Sequence, residues 1–237
     1  MSTLKDKMTG CIELGHYEAI RNGVPLRYRI QTITPDLIDQ VMDLMVTYFL
    51  SREPLTSHDE YLEDPVALEE IKVLWRDTMK AGAALVALED TDDGSINVIG
   101  ANMTVVTKKE KDGKIEEYEC EKFNKLIVAL VELSENGKLY EKYNVDKYLT
   151  AYGLTVHPNY HGYQIGYRLL EARKPLCKSL GVEASGTVFT AQVSQHIAAK
   201  IGFETLSQQL YKTCLYKGQL AYPNLDGDMK FMGIKYT

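Results

Sequence analysis

Two short stretches contain residues whose types and spacing could do chemistry, and the first is HGYQIG, residues 161–166. It follows an apolar, β-branched stretch at 151–156, the pattern of a buried strand, which Pro158 then stops. An apolar stripe that begins at Ile165 and includes Leu169 predicts that a helix starts within the segment. Backbone N–H groups at a helix start lack intrahelical partners and lie at the positive end of the helix dipole. The sequence therefore predicts an anion site suited to a pyrophosphate.

The second candidate is a glutamate, Glu53, that directly precedes a proline. A helix is predicted to begin at Thr34 and Pro35, and it should end at or just before Glu53 because Pro54 pushes that residue out of the α region. The partial negative charge at a helix C-terminus makes a carboxylate there a better proton acceptor, which suits a general base. The alternative is a solvated residue after a helix, which is the commoner situation.

The region 154–203 resembles two consecutive motifs of the GNAT acetyltransferases. The loop of the first motif reads (Gln/Arg)-x-x-Gly-x-(Gly/Ala); Gly166 fits it, whereas His161 and Gln164 depart from it. The second motif ends in Lys-x-Gly-Phe, as does SQHIAAKIGF at 194–203. This resemblance implies an α/β GNAT fold, a mixed twisted sheet with helices on both faces. The alternative is an ordinary β-α-β-α unit with a chance glycine turn.

The resemblance also implies acetyl-CoA as the acyl donor. Its pyrophosphate would lie on the HGYQIG turn, and its pantetheine arm would pair with the preceding strand as an added strand does. No spacing of potential ligands indicates a metal. The residues expected to bind the donor are Leu154, Thr155, Val156, His161, Gly162, Tyr163, Gln164, Ile165, Gly166 and Tyr167.

Residues 49–55 resemble the Glu-Pro-Leu segment of the insect arylalkylamine N-acyltransferase branch of GNAT, which implies that Glu53 is the general base. Thr190 and Ser194 lie where that branch has two active-site serines, and they are the further catalytic candidates. Ser194 has an alternative role as a helix residue that bonds its own backbone. Ala198 stands where many GNAT enzymes have a tyrosine general acid, so that group is missing here.

The implied activity is transfer of an acetyl group from acetyl-CoA to a primary arylalkylamine such as dopamine, serotonin, octopamine, tyramine or tryptamine. Direct attack by the amine would follow proton removal by Glu53. Two alternatives are kept: the same chemistry on agmatine or a polyamine, and a non-catalytic acyl-CoA-binding protein.

Composition narrows the class of protein. The chain has 237 residues, a net charge of −6 and no basic run, which argues against a nucleic-acid partner. Its four cysteines show no CxxC spacing and indicate reduced thiols. With neither a signal-like N-terminus nor a membrane-spanning apolar run, a cytoplasmic protein without membrane contact is expected. The oligomeric state is left open, with a monomer as the default.

One domain is predicted at 11–237, after a disordered N-terminus at 1–10. Strands 12–20 and 26–33 should form a hairpin through Asn22-Gly23. The lone Trp75 should belong to the core. Helices are expected at 66–80, 116–133 and 192–200, together with one running from Ile165 past Leu176; further strands are expected at 83–88, 96–106, 187–190 and, as a final edge strand, 230–236.

Overall fold

The computed structural model describes residues 10–110 and 117–236, so nearly all of the predicted disordered N-terminus lies outside the described residues. The strands are β1 (Glu13–Arg21), β2 (Val24–Thr32), β3 (Leu85–Asp90), β4 (Ile96–Lys108), β5 (Lys147–Val156), β6 (Ala184–Phe189), β7 (Glu204–Leu210), β8 (Leu215–Tyr216), β9 (Gln219–Leu220) and β10 (Asp228–Lys235). Eight of them form one sheet in the order β1-β2-β3-β4-β5-β6-β10-β7, and β8 pairs with β9. Within the large sheet, only β5 and β6 are parallel neighbours.

Helices cover both faces of this sheet, as predicted. Along β3, Val86 and Leu88 pack in a core with the helices at 38–44, 65–80 and 121–136, whereas the alternate residues Leu85 and Ala87 pack with the helices at 165–171 and 173–180. No described helix is long and apolar enough to cross a membrane. The helices are α1 (Ile38–Leu44), α2 (Pro54–His58), α3 (Pro65–Lys80), α4 (Glu121–Asn136), α5 (Leu139–Tyr143), α6 (Ile165–Glu171), α7 (Arg173–Leu180) and α8 (Gln192–Ile201).

The predicted N-terminal hairpin is confirmed. β1 and β2 are antiparallel up to the pair Arg21–Val24, and the two turn residues, Asn22 and Gly23, have φ values of 50° and 80°. Positive φ at both positions is what a two-residue hairpin turn requires, and asparagine and glycine tolerate it best.

The sheet splits between its two parallel strands. β5 pairs with β4 along its whole length but with β6 only at Leu149–Ser185. Between its pairs with Asn102 and Thr104, β5 carries one residue more than β4, and Gly153 in this bulge has φ 137°. Because a bulge bends its strand, β5 diverges from β6 beyond Leu149. We call this divergence the fork.

The final strand is not at an edge, contrary to the prediction. β10 lies between β6 and β7, and β7 forms the edge. Alternation of apolar and polar residues identifies the two faces of a strand but not its neighbours, so the sequence could not place it.

The single helix predicted from Ile165 past Leu176 is divided into α6 and α7 at Ala172. Pro175 explains the division, because it has no N–H to donate to the carbonyl of Glu171 one turn earlier.

Two contacts fix the helices on the other face. Glu70 of α3 accepts hydrogen bonds from the N–H groups of Glu119 (2.7 Å) and Cys120 (3.2 Å), and α4 begins directly afterwards at Glu121. Trp75 is fully buried, as predicted, and its Nε1 donates to the Tyr152 carbonyl (2.8 Å). These contacts hold α3 and α4 beside the fork.

Candidate active site

The fork opens into a cavity of about 920 Å³. One side, which we call the turn side, consists of the end of β5 and the turn at 157–166. The other, which we call the apolar side, consists of side chains from the segment before α2 and from α3 and α4. The sequence motifs therefore contribute to one continuous space.

On the turn side, the last three residues of β5 have one free edge. Leu154, Thr155 and Val156 pair with β4, while the described part of β6 makes no ladder pair with them. Their backbone groups on that edge can pair with an extended, amide-bearing ligand. One of them is partly engaged, because His161 Nε2 lies 3.0 Å from the Val156 carbonyl oxygen.

The turn that follows leads into α6 through two residues with positive φ, Gly162 (90°) and Gln164 (62°). The Arg168 N–H donates to the Gln164 carbonyl (2.9 Å), which makes it the first intrahelical donor of this helix. The N–H groups before it have no intrahelical acceptor, as at any helix start. The Cα–Cβ direction of Gly166 points between β5 and α8, where an added Cβ would lie 3.7 Å from Leu154 and Val156 side-chain atoms.

Glu53 lines the same cavity and is only 8% exposed. Its N–H donates to the Phe49 carbonyl, but its carboxylate accepts from the Leu55 N–H (3.1 Å) and the Thr56 N–H (2.7 Å) at the start of α2. The sequence predicted that the C-terminus of the preceding helix acts on the Glu53 carboxylate, and this prediction is therefore wrong. Pro54 starts a new helix, α2, and the Glu53 carboxylate caps its positive end.

Thr190 and Ser194 also line this cavity, at the end of β6 and in the first turn of α8. The Ser194 hydroxyl donates to the Ala191 carbonyl (2.7 Å), which is the backbone-bonded alternative considered above. The Thr190 carbonyl accepts from the Tyr211 hydroxyl. The structure thus brings both residues and Glu53 to one cavity.

At the level of sequence, no family profile and no curated protein matches the chain. Solved structures do match. A protein of the yellow fever mosquito Aedes aegypti, provisionally designated arylalkylamine N-acetyltransferase 7, is 26% identical, with a TM-score of 0.89 and 97% of both chains covered. Arylalkylamine N-acetyltransferase 2 of Aedes aegypti is 21% identical (TM-score 0.75; 89% of this chain and 99% of that one). A Drosophila melanogaster polyamine N-acetyltransferase that forms N-acetylagmatine is 18% identical (TM-score 0.73; 88% and 99%).

The chain has the GNAT acetyltransferase fold. The match confirms the resemblance inferred from residues 154–203 and extends it to nearly the whole chain. This GNAT fold implies acetyl-CoA as cosubstrate. The free edge of β5 and the N–H groups at the start of α6 fit its amides and its pyrophosphate, respectively.

The predicted donor-binding residues fall into two groups according to where their side chains lie. His161, Gly162, Gln164, Gly166 and Tyr167 line the cavity, as do Leu154, Thr155 and Val156. The Tyr163 side chain instead packs in the core under α6, where the Tyr163 carbonyl accepts from the Tyr28 hydroxyl (3.1 Å). Ile165 is 1% exposed and packs in the same core. Ile165 nevertheless lines the cavity, whereas Tyr163 does not.

The apolar side is built mainly from aliphatic and aromatic side chains. Glu53 is the only carboxylate among the described residues that line the whole cavity. The apolar residues that line this side are Phe49, Ile71, Leu74, Leu126, Ile127 and Leu130.

A tyrosine–histidine pair for which no catalytic role was predicted reaches the cavity through Tyr48. The Tyr48 hydroxyl lies 3.1 Å from His157 Nε2, and the Asn159 N–H donates to His157 Nδ1 (3.2 Å). Burial, followed by the charges of His161 and Arg52, lowers the pKa of His157. The ring is therefore neutral, with its proton on Nε2 donated to Tyr48. Sequence reasoning missed this pair because its members are 109 positions apart.

Proposed function

We propose that this protein is an acyl-CoA-dependent N-acyltransferase that moves an acetyl group from acetyl-CoA to the amine of an arylalkylamine. The observation that carries the proposal is the position of Glu53. A buried carboxylate lines the same cavity as the free edge of β5. A candidate proton acceptor and a candidate site for an amide-bearing acyl donor therefore share one cavity.

Each part of the cavity has a distinct task in this proposal. The backbone of Leu154–Val156 orients the pantetheine arm, and the turn ending at Gly166 binds the pyrophosphate. A free alkylamine has a pKa near 10, so it arrives as an ammonium ion. Glu53, directly or through a water molecule, accepts the proton so that the nitrogen can attack. A positioned base of this kind contributes roughly 10²–10⁴-fold to the rate.

The apolar side favours an arylalkylamine over agmatine or a polyamine. Phe49, Leu74 and Leu130 offer apolar surface to an aromatic ring. The second cationic group of agmatine or a polyamine would need a counter-charge, since burying an unpaired charge is costly. Among the described lining residues, Glu53 is the only acidic group, and it is assigned to the reacting amine.

The test is thiol release from acetyl-CoA in the presence of tyramine, dopamine, serotonin, octopamine, tryptamine, agmatine, spermidine and amino acids. We expect release with the arylalkylamines and at least about tenfold lower kcat/KM for agmatine and spermidine. Turnover restricted to agmatine or spermidine would contradict the assigned acceptor. Acetyl-CoA binding measured by calorimetry, with no release across the panel or with longer acyl-CoAs, would instead support the non-catalytic acyl-CoA-binding alternative.

A further inference from the structure

One arginine, Arg173, bridges the two halves of the split sheet. It stands at the start of α7 and is 1% exposed. Its Nη2 donates to Asn102 Oδ1 on β4 (3.1 Å), and its Nη1 donates to Thr187 Oγ1 on β6 (2.8 Å). The guanidinium therefore spans the fork, from the strand on one side of β5 to the strand on the other side.

The positive charge of Arg173 has no counter-ion among the described residues. Its hydrogen-bond acceptors are the neutral side chains of Asn102, Thr187 and, at 3.4 Å, Ser185. Its Nε is buried without a hydrogen-bond partner, and so is Asn102 Nδ2. Burial lowers the pKa of Arg173 to about 10, which still leaves the group charged at neutral pH. A buried, unpaired charge is costly to keep, so an anion that arrives there would be strongly stabilised.

The place of this charge matters because Arg173 and Thr187 both line the cavity at the fork. The turn at 157–166 lies beyond the far end of β5, away from the Leu149–Ser185 pair. A pyrophosphate on that turn, with its pantetheine arm along β5, would direct the thiol end toward the fork. Arg173 is thus separate from the pyrophosphate site and faces the reacting end of the cavity.

We propose that Arg173 stabilises the negative charge of the departing coenzyme A thiolate. The inference rests on the proposed acyltransferase function. In the reaction, the amine nitrogen forms a C–N bond to the acyl carbon, and the ammonium proton passes to Glu53. The C–S bond breaks with its electron pair on sulfur, so the thiolate carries the charge until it takes up, directly or through water, the second proton that the nitrogen loses on becoming an amide. A buried guanidinium that is already held in place stabilises this charge without reorganisation.

The test compares the binding of coenzyme A with that of acetyl-CoA, which has no ionisable thiol, by calorimetry on the full chain between pH 6 and 9.5. A free thiol has a pKa near 8.5. If Arg173 favours the thiolate, the thiol of bound coenzyme A has a lower pKa than the thiol of free coenzyme A. The affinity ratio of coenzyme A to acetyl-CoA is then flat at low pH, rises between the bound and free pKa values, and levels off above about 8.5. We expect a rise of about tenfold, which corresponds to a one-unit shift.

Arg173→Met should abolish this rise, and Arg173→Lys should retain part of it. Arg173→Gln, which keeps hydrogen-bonding groups without the charge, should also abolish it and serves if the methionine variant does not fold. The matched control is Arg76→Met, which removes a half-exposed arginine of α3 that does not line the cavity and should leave the rise unchanged.

A pH-independent affinity ratio in the wild-type protein would overturn the proposal. So would an unchanged rise in folded Arg173→Met or Arg173→Gln, because Arg173 would then act only as a structural bridge. Failure of the proposed function looks different: acetyl-CoA itself would not bind, or it would bind without turnover with any amine.

Discussion

The turn side and the apolar side of the cavity are built in different ways. The turn side comes from one continuous stretch, 154–166, and presents mainly backbone groups: a free strand edge and the N–H groups of a helix start. The apolar side comes from three separate segments between Tyr48 and Leu130, and it presents side chains. Under the proposed function, the backbone groups would recognise what acyl-CoA molecules share, whereas the side chains would select among amines.

The two sides should therefore respond differently to substitution. Changes on the turn side should alter acyl-donor affinity for every acceptor. Changes on the apolar side should alter acceptor choice and leave acyl-donor affinity unchanged. Glu53 lies between these cases, because it should affect turnover without affecting either kind of binding.

The largest effect is expected at Gly166, where an added side chain enters the cleft between β5 and α8. Gly166→Glu would place a long, negatively charged side chain where the pyrophosphate should bind, so calorimetry should detect no acetyl-CoA binding. Gly166→Ala is the matched control, because its Cβ would meet neighbouring atoms at an ordinary 3.7 Å. Its affinity should stay within about threefold of wild type, a difference below ~0.7 kcal/mol. Retained acetyl-CoA affinity in a folded glutamate variant would place the pyrophosphate site elsewhere.

The contrast between the two sides also explains what the sequence could predict. The strand, turn and helix that form the turn side are consecutive, so residues 151–166 predicted their order and the free helix start. The position of Trp75 in the core and the N-terminal hairpin were likewise local inferences, from residue type and from Asn22-Gly23. Local signals of this kind depend on residues within one or two turns of each other.

The sequence carried no such local signal for contacts between residues that are far apart along the chain. The Tyr48–His157 pair and the bridge from Arg173 to Asn102 join residues more than 70 positions apart. The position of β10 inside the sheet depends on neighbours that its own alternation does not identify. Even near Glu53 the prediction failed in part: Pro54 indicated the end of one helix, but the same proline also begins α2, and the carboxylate caps that second helix.

The capping role of Glu53 must be separated from its proposed catalytic role. Glu53→Ala should lower kcat by at least about tenfold at neutral pH, because the ammonium loses its proton acceptor. It should also cost about 1 kcal/mol of stability, since a helix cap is lost. Asp64→Ala is the matched control: Asp64 caps α3 ahead of Pro65 through the N–H groups of Val66 and Ala67, and it does not line the cavity.

Steady-state kinetics and thermal unfolding of both variants separate these roles. The two variants should lose similar stability, and only the Glu53 variant should lose turnover. An unchanged kcat in Glu53→Ala would remove this residue from the mechanism.

The smallest effect is expected on the apolar side, where one substitution should change acceptor choice. Leu130→Glu adds a second carboxylate to a half-buried position of the cavity wall. A carboxylate there could pair with the distal guanidinium of agmatine, and a partly exposed pair contributes up to about 1 kcal/mol. The ratio of kcat/KM for agmatine to that for tyramine should therefore rise by about fivefold. Leu130→Gln, of the same size without the charge, should leave this ratio within about twofold, and acetyl-CoA affinity should stay constant in both variants.

An equal change of the ratio in both variants would show that lost apolar contact, rather than charge, determines acceptor choice at this position. A change in acetyl-CoA affinity would show that the turn side and the apolar side are not independent.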